Sequence, residues 1–261
     1  MSVKVIAIDG PAASGKSTVA RLLAARVGAL YVGTGMMYRA LAWKARRLGL
    51  GLGKDDSTAE GTARFTEGIK SLLPGTELHF VFSGGEVPSS AAVSPSGADE
   101  RGAKEKDPAR ILIDGMAPSA EELSSDEISA LSSRIAVIPE VRSFMTARQR
   151  AMAENSWIVM EGRDIGTEVF PDAPVKFFLT ASSRVRALRR LLQNGKSPSE
   201  DAIRTMAEAI EARDRTDETR AVAPLRKAED AILVDNSSWS VEQTVDRMAE
   251  CFRESESAMQ R

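Results

Sequence analysis

Eight residues constrain this chain more than any others: Gly10-Pro11-Ala12-Ala13-Ser14-Gly15-Lys16-Ser17. Before them stands Val3-Lys4-Val5-Ile6-Ala7-Ile8. This run is β-branched and nearly continuously apolar, as in a strand buried on both faces of a parallel sheet. After them, Val19, Leu22, Leu23 and Val27 form one stripe of an amphipathic helix that Gly28 ends. A strand, the pattern G-x-x-x-x-G-K-[ST] and a helix in that order make a loop that cradles phosphate. Its glycines let backbone N–H groups curl around phosphate oxygens, and the helix N-terminus adds positive potential. Lys16 would reach the β- and γ-phosphates of a nucleoside triphosphate, and the Ser17 hydroxyl would ligate Mg²⁺. The expected ATP-binding set is Gly10, Pro11, Ala12, Ala13, Ser14, Gly15, Lys16, Ser17 and Thr18.

Further along, Ala29–Val32, Trp157–Met160, Val175–Leu179 and Ala231–Asp235 read as strands. Helical patterns lie between them, at Met36–Leu48, Asp126–Val137, Pro139–Glu154, Ser183–Gln193 and from Ser197-Pro198-Ser199-Glu200 to about Arg213. Ser240-Val241-Glu242-Gln243 opens a last helix striped by Val241, Val245, Met248 and Phe252, with a frayed tail expected over 254–261. Strands alternating with helices imply an α/β fold with a parallel sheet. The stretch from about 70 to 135 breaks the rhythm and reads as an insertion. Inside it, Leu78, Phe80 and Phe82 alternate with His79 and Val81, as in a half-buried strand. Residues 83–108 hold Gly, Ser or Pro at 12 of 26 positions and only Val87 and Val93 as large aliphatics. Such a segment buries too little surface to offset its ordering entropy, so a flexible surface insertion is expected there.

Whole function classes drop out on composition. One histidine and one cysteine argue against Ser-His or Cys-His hydrolysis and against a His/Cys zinc site. Thirty-five Lys and Arg against 37 Asp and Glu, a net charge of -2, exclude nucleic-acid binding through bulk charge. No apolar stretch is long enough to span a membrane, and the N-terminal apolar run is too short for a signal peptide, so a cytoplasmic chain is expected. The Asn-Lys-x-Asp base reader of GTPases is absent. The phosphate loop alone leaves several classes open, and among them a kinase of small molecules needs a second anion site and a cationic lid. Thr34-Gly35-Met36-Met37-Tyr38-Arg39 follows the second strand, and Gly162-Arg163-Asp164 follows the strand 157–160. Both lie at the carboxyl edge of the sheet, where ligands bind. Arg213, Asp214, Arg215, Asp217 and Arg220 crowd together after a helix. Arginine's planar fork suits phosphate oxygens better than lysine does.

Taken together, these stretches resemble the bacterial cytidylate kinases of the nucleoside monophosphate kinase group. The resemblance runs through Ile8–Thr18, Thr34–Arg39, Glu161-Gly162-Arg163-Asp164-Ile165-Gly166-Thr167, Val169-Phe170-Pro171-Asp172-Ala173-Pro174-Val175-Lys176 and Arg213-Asp214, Asp217, Arg220–Leu225. It implies a three-layer P-loop fold with a five-stranded parallel sheet, an inserted acceptor-binding subdomain and a helical lid. The core would be 1–70 and 136–253, the insertion 71–135 and the lid about 190–222. It also implies transfer of phosphate from ATP, with Mg²⁺, to CMP and dCMP. Arg39, Arg163 and Arg220 would hold the acceptor phosphate, and Arg213 would bridge to the transferring group. Lys16, Arg163, Arg213 and Arg220 would be the catalytic set. Ser133, Arg142 and Asp164 would read the cytosine edge, Thr34 and Tyr38 would touch the acceptor nucleotide, and Asp217 would accept from the sugar hydroxyl. A carboxylate suits the cytosine N4 amine and repels the carbonyl that uracil offers instead. A monomer with no nucleic-acid or membrane partner is expected.

Three positions depart from the family pattern. Gly33 stands where an Asp is usual, Glu161 where an acid one methylene shorter is common, and Thr216 where the lid usually carries an Arg, with Arg215 shifted by one. A kinase of the same architecture for UMP, AMP or a metabolite such as shikimate stays open, as does a nucleotide-binding regulatory module without turnover.

Overall fold

The computed structural model describes residues 3–51, 58–82, 85–87, 110–153, 156–195 and 197–259. The chain divides into two units, Met1–Gly33 with Ala153–Arg261, and Thr34–Met152.

The first unit is built on β1 (Val5–Asp9), β2 (Leu30–Gly33), β6 (Ile158–Glu161), β7 (Val175–Thr180) and β8 (Ile232–Asp235). They form one five-stranded sheet in the order β2-β6-β1-β7-β8, with every pairing parallel. Every residue of β1 is buried, as its unbroken apolar run requires of the central strand. Helix α1 (Lys16–Val27) packs on α9 (Val241–Met259), and the core between sheet and helices gathers Ile6, Ile8, Leu23, Phe177, Leu179, Met248 and Phe252. Trp157 meets Phe252 edge to face, with ring centroids 4.9 Å apart, a contact worth about 1 kcal/mol beyond its buried area. Helices α7 (Ser183–Gln193) and α8 (Glu200–Thr219) pack on each other through Ala187, Leu191, Ile203 and Ile210.

Three features of this unit differ from the sequence expectation. Helix α8 runs to Thr219, so Arg213–Asp217 lie within its last turns rather than after it, and Arg220 is its C-cap. Its N-cap is Ser199, whose hydroxyl accepts from Ala202 N–H, two residues beyond the expected start. Helix α9 continues to Met259 with no frayed tail at 254–259, because polar residues there still make helical hydrogen bonds on the solvent face; 260–261 lie outside the described residues. The Ser240 capping box is present, since Gln243 N–H donates to Ser240 Oγ at 3.1 Å and Ser240 N–H to Gln243 Oε1 at 2.9 Å.

The second unit contains α2 (Thr34–Arg47), α3 (Ala59–Leu72), β3 (Leu78–Phe82), β4 (Gly85–Val87), β5 (Arg110–Ile113), α4 (Ala120–Ser124), α5 (Asp126–Ile135) and α6 (Pro139–Ala151). Its sheet is antiparallel in the order β4-β3-β5. Leu78, Phe80, Ile111 and Ile113 face inward from β3 and β5. The unit is larger than the expected insertion 71–135, and its boundaries fall at 33/34 and 152/153 instead. The reason is packing: α2 lies against α4, α5, α6 and β5, and buries Met37, Ala40, Leu41 and Ala45 completely there. Sequence adjacency to β2 hides this allegiance. Within 83–108 only Gly85–Val87 is described, as a strand, and the expected flexible insertion otherwise lies outside the described residues.

The turn from β1 into the phosphate loop sets the tightest packing condition. Gly10 has φ 150°, and a Cβ there would sit 2.1 Å from the Leu179 carbonyl oxygen of β7. At Gly28, φ is 70° but a Cβ would meet nothing within 4 Å. Gly10→Ala is expected to cost at least about 3 kcal/mol, because two paired strands must part. Gly28→Ala should cost only about 1 kcal/mol, the strain of the left-handed region. Urea unfolding of both variants reads the difference.

Candidate active site

The phosphate loop is folded around a buried ammonium. Lys16 is 5% exposed and its Nζ donates to the Pro11 carbonyl at 2.7 Å; Ser14 Oγ donates to the same oxygen at 3.1 Å. Burial pulls the Lys16 pKa down to about 7, helped by the Arg163 charge and opposed by Glu161, Asp9 and Asp217. A phosphate oxygen arriving here would return the counter-charge that solvent no longer gives. Beneath the loop, Asp9 accepts from the backbone N–H groups of Ile165 and Gly166 at 2.8 and 2.7 Å. Burial raises its pKa to about 6 against those two donors, and the nearby Asp164 charge adds to the rise.

Ser17 Oγ donates to Glu161 Oε1 at 2.9 Å, across from α1 to the end of β6. A hydroxyl and a carboxylate side by side next to a phosphate loop form an oxygen-only donor set of the kind a hard divalent cation takes. Tyr31 Oη lies 3.4 Å from the same Glu161 oxygen, and burial together with the Glu161 charge raises its pKa. This tyrosine explains Gly33. A Cβ at position 33 would stand 2.6 Å from Tyr31 Oη and 3.3 Å from Glu161 Oε1, so the phenol fills the place of a side chain there.

The far side of the loop is gripped by groups that no local pattern reveals. Arg189 Nη1 donates to the carbonyl of Ser14 at 3.3 Å and to Asn236 Oδ1 at 2.9 Å. Asn236 Nδ2 donates to the same Ser14 carbonyl at 3.2 Å. Ala12 departs from the expected phosphate-binding set in one respect: its N–H donates to Asp214 Oδ1 at 3.0 Å, and its carbonyl accepts from Arg186 Nη1 at 3.2 Å. The available signal was two arginines, Arg186 and Arg189, three residues apart on the basic helix α7, where Arg186 is buried and Arg189 half-buried.

The cationic residues form a stripe on α8 and a partner after β6. Arg163 Nε donates to Asp217 Oδ2 at 3.0 Å, and Arg220 Nη1 stands 3.8 Å from Asp217 Oδ1. Arg220 Nε donates to the Ala223 carbonyl. Arg213 keeps solvent access, yet partial desolvation and then the Arg163 charge lower its pKa, while Asp217 opposes them. Residues 213, 217 and 220 follow the i, i+4, i+7 spacing of one helix face. Arg215 is exposed and off that face, and Thr216 Oγ1 donates back to the Ala212 carbonyl. The arginine on the Asp217 side of α8 is therefore Arg213, not Arg215. Asp164 is 7% exposed, and its carbonyl accepts from Glu168 and Val169 in the helical turn that follows.

Thr34, Tyr38, Arg39, Ser133 and Arg142 belong to the second unit. Thr34 is buried, Tyr38 half-buried and Ser133 exposed. Arg39 Nη1 donates to the Leu123 carbonyl at 2.6 Å and to Ser129 Oγ at 2.8 Å. Ser133 Oγ donates to the Ser129 carbonyl at 3.1 Å, so Ser129 joins the two expected substrate residues. Arg142 is 7% exposed and its Nη1 donates to the Ala136 carbonyl at 3.4 Å.

Asp217 is the hub of the cationic stripe. Asp217→Ala should lower stability by about 1–2 kcal/mol, since a part-buried charged hydrogen bond to Arg163 is lost. Urea titration at neutral pH measures it, and an unchanged midpoint would contradict the role given to that bond.

Among the described residues, no helix is long and apolar enough to cross a membrane. The family model described as Cytidylate kinase matches residues 6–254. The chain is 40% identical over 245 residues to the cytidylate kinase of Limosilactobacillus fermentum, covering 94% of this chain and 93% of that protein. It is 39% identical over 249 residues to the enzyme of Desulfitobacterium hafniense, covering 95% and 92%. The enzyme of Geobacillus sp. is likewise 39% identical over 249 residues, covering 95% and 96%. A phosphate loop closed by Lys16, a stripe of arginines around Asp217 and a family match over nearly the whole length agree, and the chain belongs to the cytidylate kinase family.

Proposed function

We propose that this enzyme transfers the γ-phosphoryl group of ATP, with Mg²⁺, to CMP and dCMP, by in-line attack of an acceptor phosphate oxygen. The family supports phosphorylation of CMP. The single observation that supports the donor side is the buried Lys16, set among Arg163, Glu161 and Asp217 with its pKa drawn down to about 7.

Such a transition state spreads negative charge over equatorial oxygens, so positioning and cationic clamping carry the catalysis. Lys16 and the backbone of the phosphate loop would hold the β- and γ-phosphates. Arg213 would face the transferring group, and Arg39, Arg163 and Arg220 would hold the acceptor phosphate. Asp217 orients Arg163 through its 3.0 Å bond and would accept from a sugar hydroxyl. The acceptor phosphate is already ionised at neutral pH, so no general base is required. Ser17 and Glu161 would hold Mg²⁺, their oxygens 2.9 Å apart suiting a hard cation that takes one or two protein ligands plus phosphates. When bound, Mg²⁺ would neutralise charge on the phosphate oxygens. Asp164, Ser133 and Arg142 would read the cytosine edge, with Thr34 and Tyr38 as further contacts to the nucleotide. The reading includes a monomeric, cytoplasmic enzyme, and the net charge of -2 supports the absence of a nucleic-acid partner.

A coupled assay of ADP release tests this across CMP, dCMP, UMP, AMP and no acceptor. Strong turnover is expected with CMP and dCMP, weak turnover with UMP and almost none without acceptor. Excess EDTA should abolish it, and Lys16→Ala should lower kcat by roughly 10²–10³-fold. Equal rates with UMP or AMP would remove the cytosine role of Asp164 and leave the kinase class standing.

A further inference from the structure

The strongest unexplained feature of the first unit is a buried ion pair that belongs to none of the roles above. Arg186 and Asp214 each expose 9% of their side chains and are bonded to one another. Together they take both backbone groups of Ala12: Asp214 Oδ1 accepts its N–H at 3.0 Å, and Arg186 Nη1 donates to its carbonyl at 3.2 Å. Arg186 Nε donates further to the Ala181 carbonyl at 2.9 Å, at the end of β7. Three segments 28 to 202 residues apart in sequence, namely the phosphate loop, α7 and α8, thus meet at one point.

A buried ion pair is a poor source of stability, because the cost of removing two charges from water roughly cancels their attraction. What such a pair does give is a fixed geometry. Here the geometry ties the middle of the phosphate loop to one residue of α8. Arg213 precedes that residue, Asp217 follows it by three positions and Arg220 by six. Arg213 and Asp217 lie on a rigid rod with a rise of about 1.5 Å per residue, and Arg220 caps its end. Fixing Asp214 therefore fixes the distance of all three from the loop.

We propose that the Arg186–Asp214 pair is a positioning device for phosphoryl transfer. It uses Ala12 as a tie-point and holds the arginine-bearing turns of α8 in register with Lys16 before any nucleotide binds. Asp214 and Arg186 need touch neither nucleotide. They act through Arg213, Asp217 and Arg220, and the inference rests on the reading that the phosphate loop holds the donor nucleotide.

The test compares two paired variants that both lack the charges. Arg186→Met with Asp214→Asn keeps an oxygen that can accept the Ala12 N–H. Arg186→Met with Asp214→Leu removes it while filling the same space. Both should melt within a few degrees of one another. The Leu pair is expected to show kcat at least about tenfold below the Asn pair. Its KM for CMP should rise as well, since Asp217 and Arg220 face CMP, while its KM for ATP should change by no more than about twofold, and its Ala12 amide should exchange hydrogen faster. Equal kcat in the two pairs would overturn the proposal, and so would loss of Ala12 protection with kcat unchanged. If the Leu pair does not fold, exchange at Ala12 in the unaltered, nucleotide-free enzyme decides. Strong protection is expected, and free exchange would overturn the tie-point. Absence of turnover by the unaltered enzyme with ATP and CMP would defeat the donor reading instead, and the exchange measurement would still report on the tether.

Discussion

The Lys16 ammonium sits 5% exposed at the start of a helix whose N-terminal end already carries positive potential. That placement is unfavourable twice over, and the surroundings show how it is held. Glu161, Asp9 and Asp217 supply opposing charge, while the Pro11 carbonyl takes the ammonium's hydrogen bond. Each anion is itself tied down: Glu161 by Ser17, Asp9 by two backbone amides, Asp217 by Arg163. Moving any one of these partners changes the field at Lys16. The loop, the end of β6 and the last turns of α8 form one electrostatic assembly for that reason.

Elements whose burial is complete or whose caps are local could be read directly from the chain. β1 is apolar without interruption because it is central, and the Ser240 box and Pro139 mark helix starts by chemistry within three residues. The last turns of α8 were harder. Arg213 to Thr219 carries no apolar residue, so the periodic signal stops although the backbone bonds continue. α3 is similar, burying only Gly61, Phe65 and Ile69 in fourteen residues. The allegiance of α2 to the second unit could not be read at all, since it depends on contacts with α4, α5 and α6 that are far away in sequence.

The site shows the same division. Lys16, Ser17, Arg163, Arg213, Asp217 and Arg220 stood out because motif spacing and arginine density are local properties, and within the first unit their bonds and charges tie them together. Tyr31, Arg186 and Asn236 did not stand out, and Asp214 did so only as one of a charged cluster, because each matters through a partner distant in the chain. Gly33 is instructive here. Taken alone it looks like the loss of a side chain, but the space belongs to Tyr31, two residues earlier and on the same side of β2. A departure from a family pattern at one position is thus matched by bulk at another.

The three tryptophans occupy different surroundings, and this gives the two units separate optical signatures. Trp43 is buried in the second unit with its indole N–H on Glu122 Oε1 at 3.0 Å, and the Arg47 guanidinium lies 4.7 Å from its ring centre. Trp157 belongs to the first unit and stands edge-on to Phe252, whereas Trp239 of the same unit is 39% exposed. An indole beside a carboxylate and a guanidinium emits differently from one packed against a phenyl ring or open to water. With single-tryptophan versions of the chain, melting of one unit could be followed by its own emission while the other remains folded.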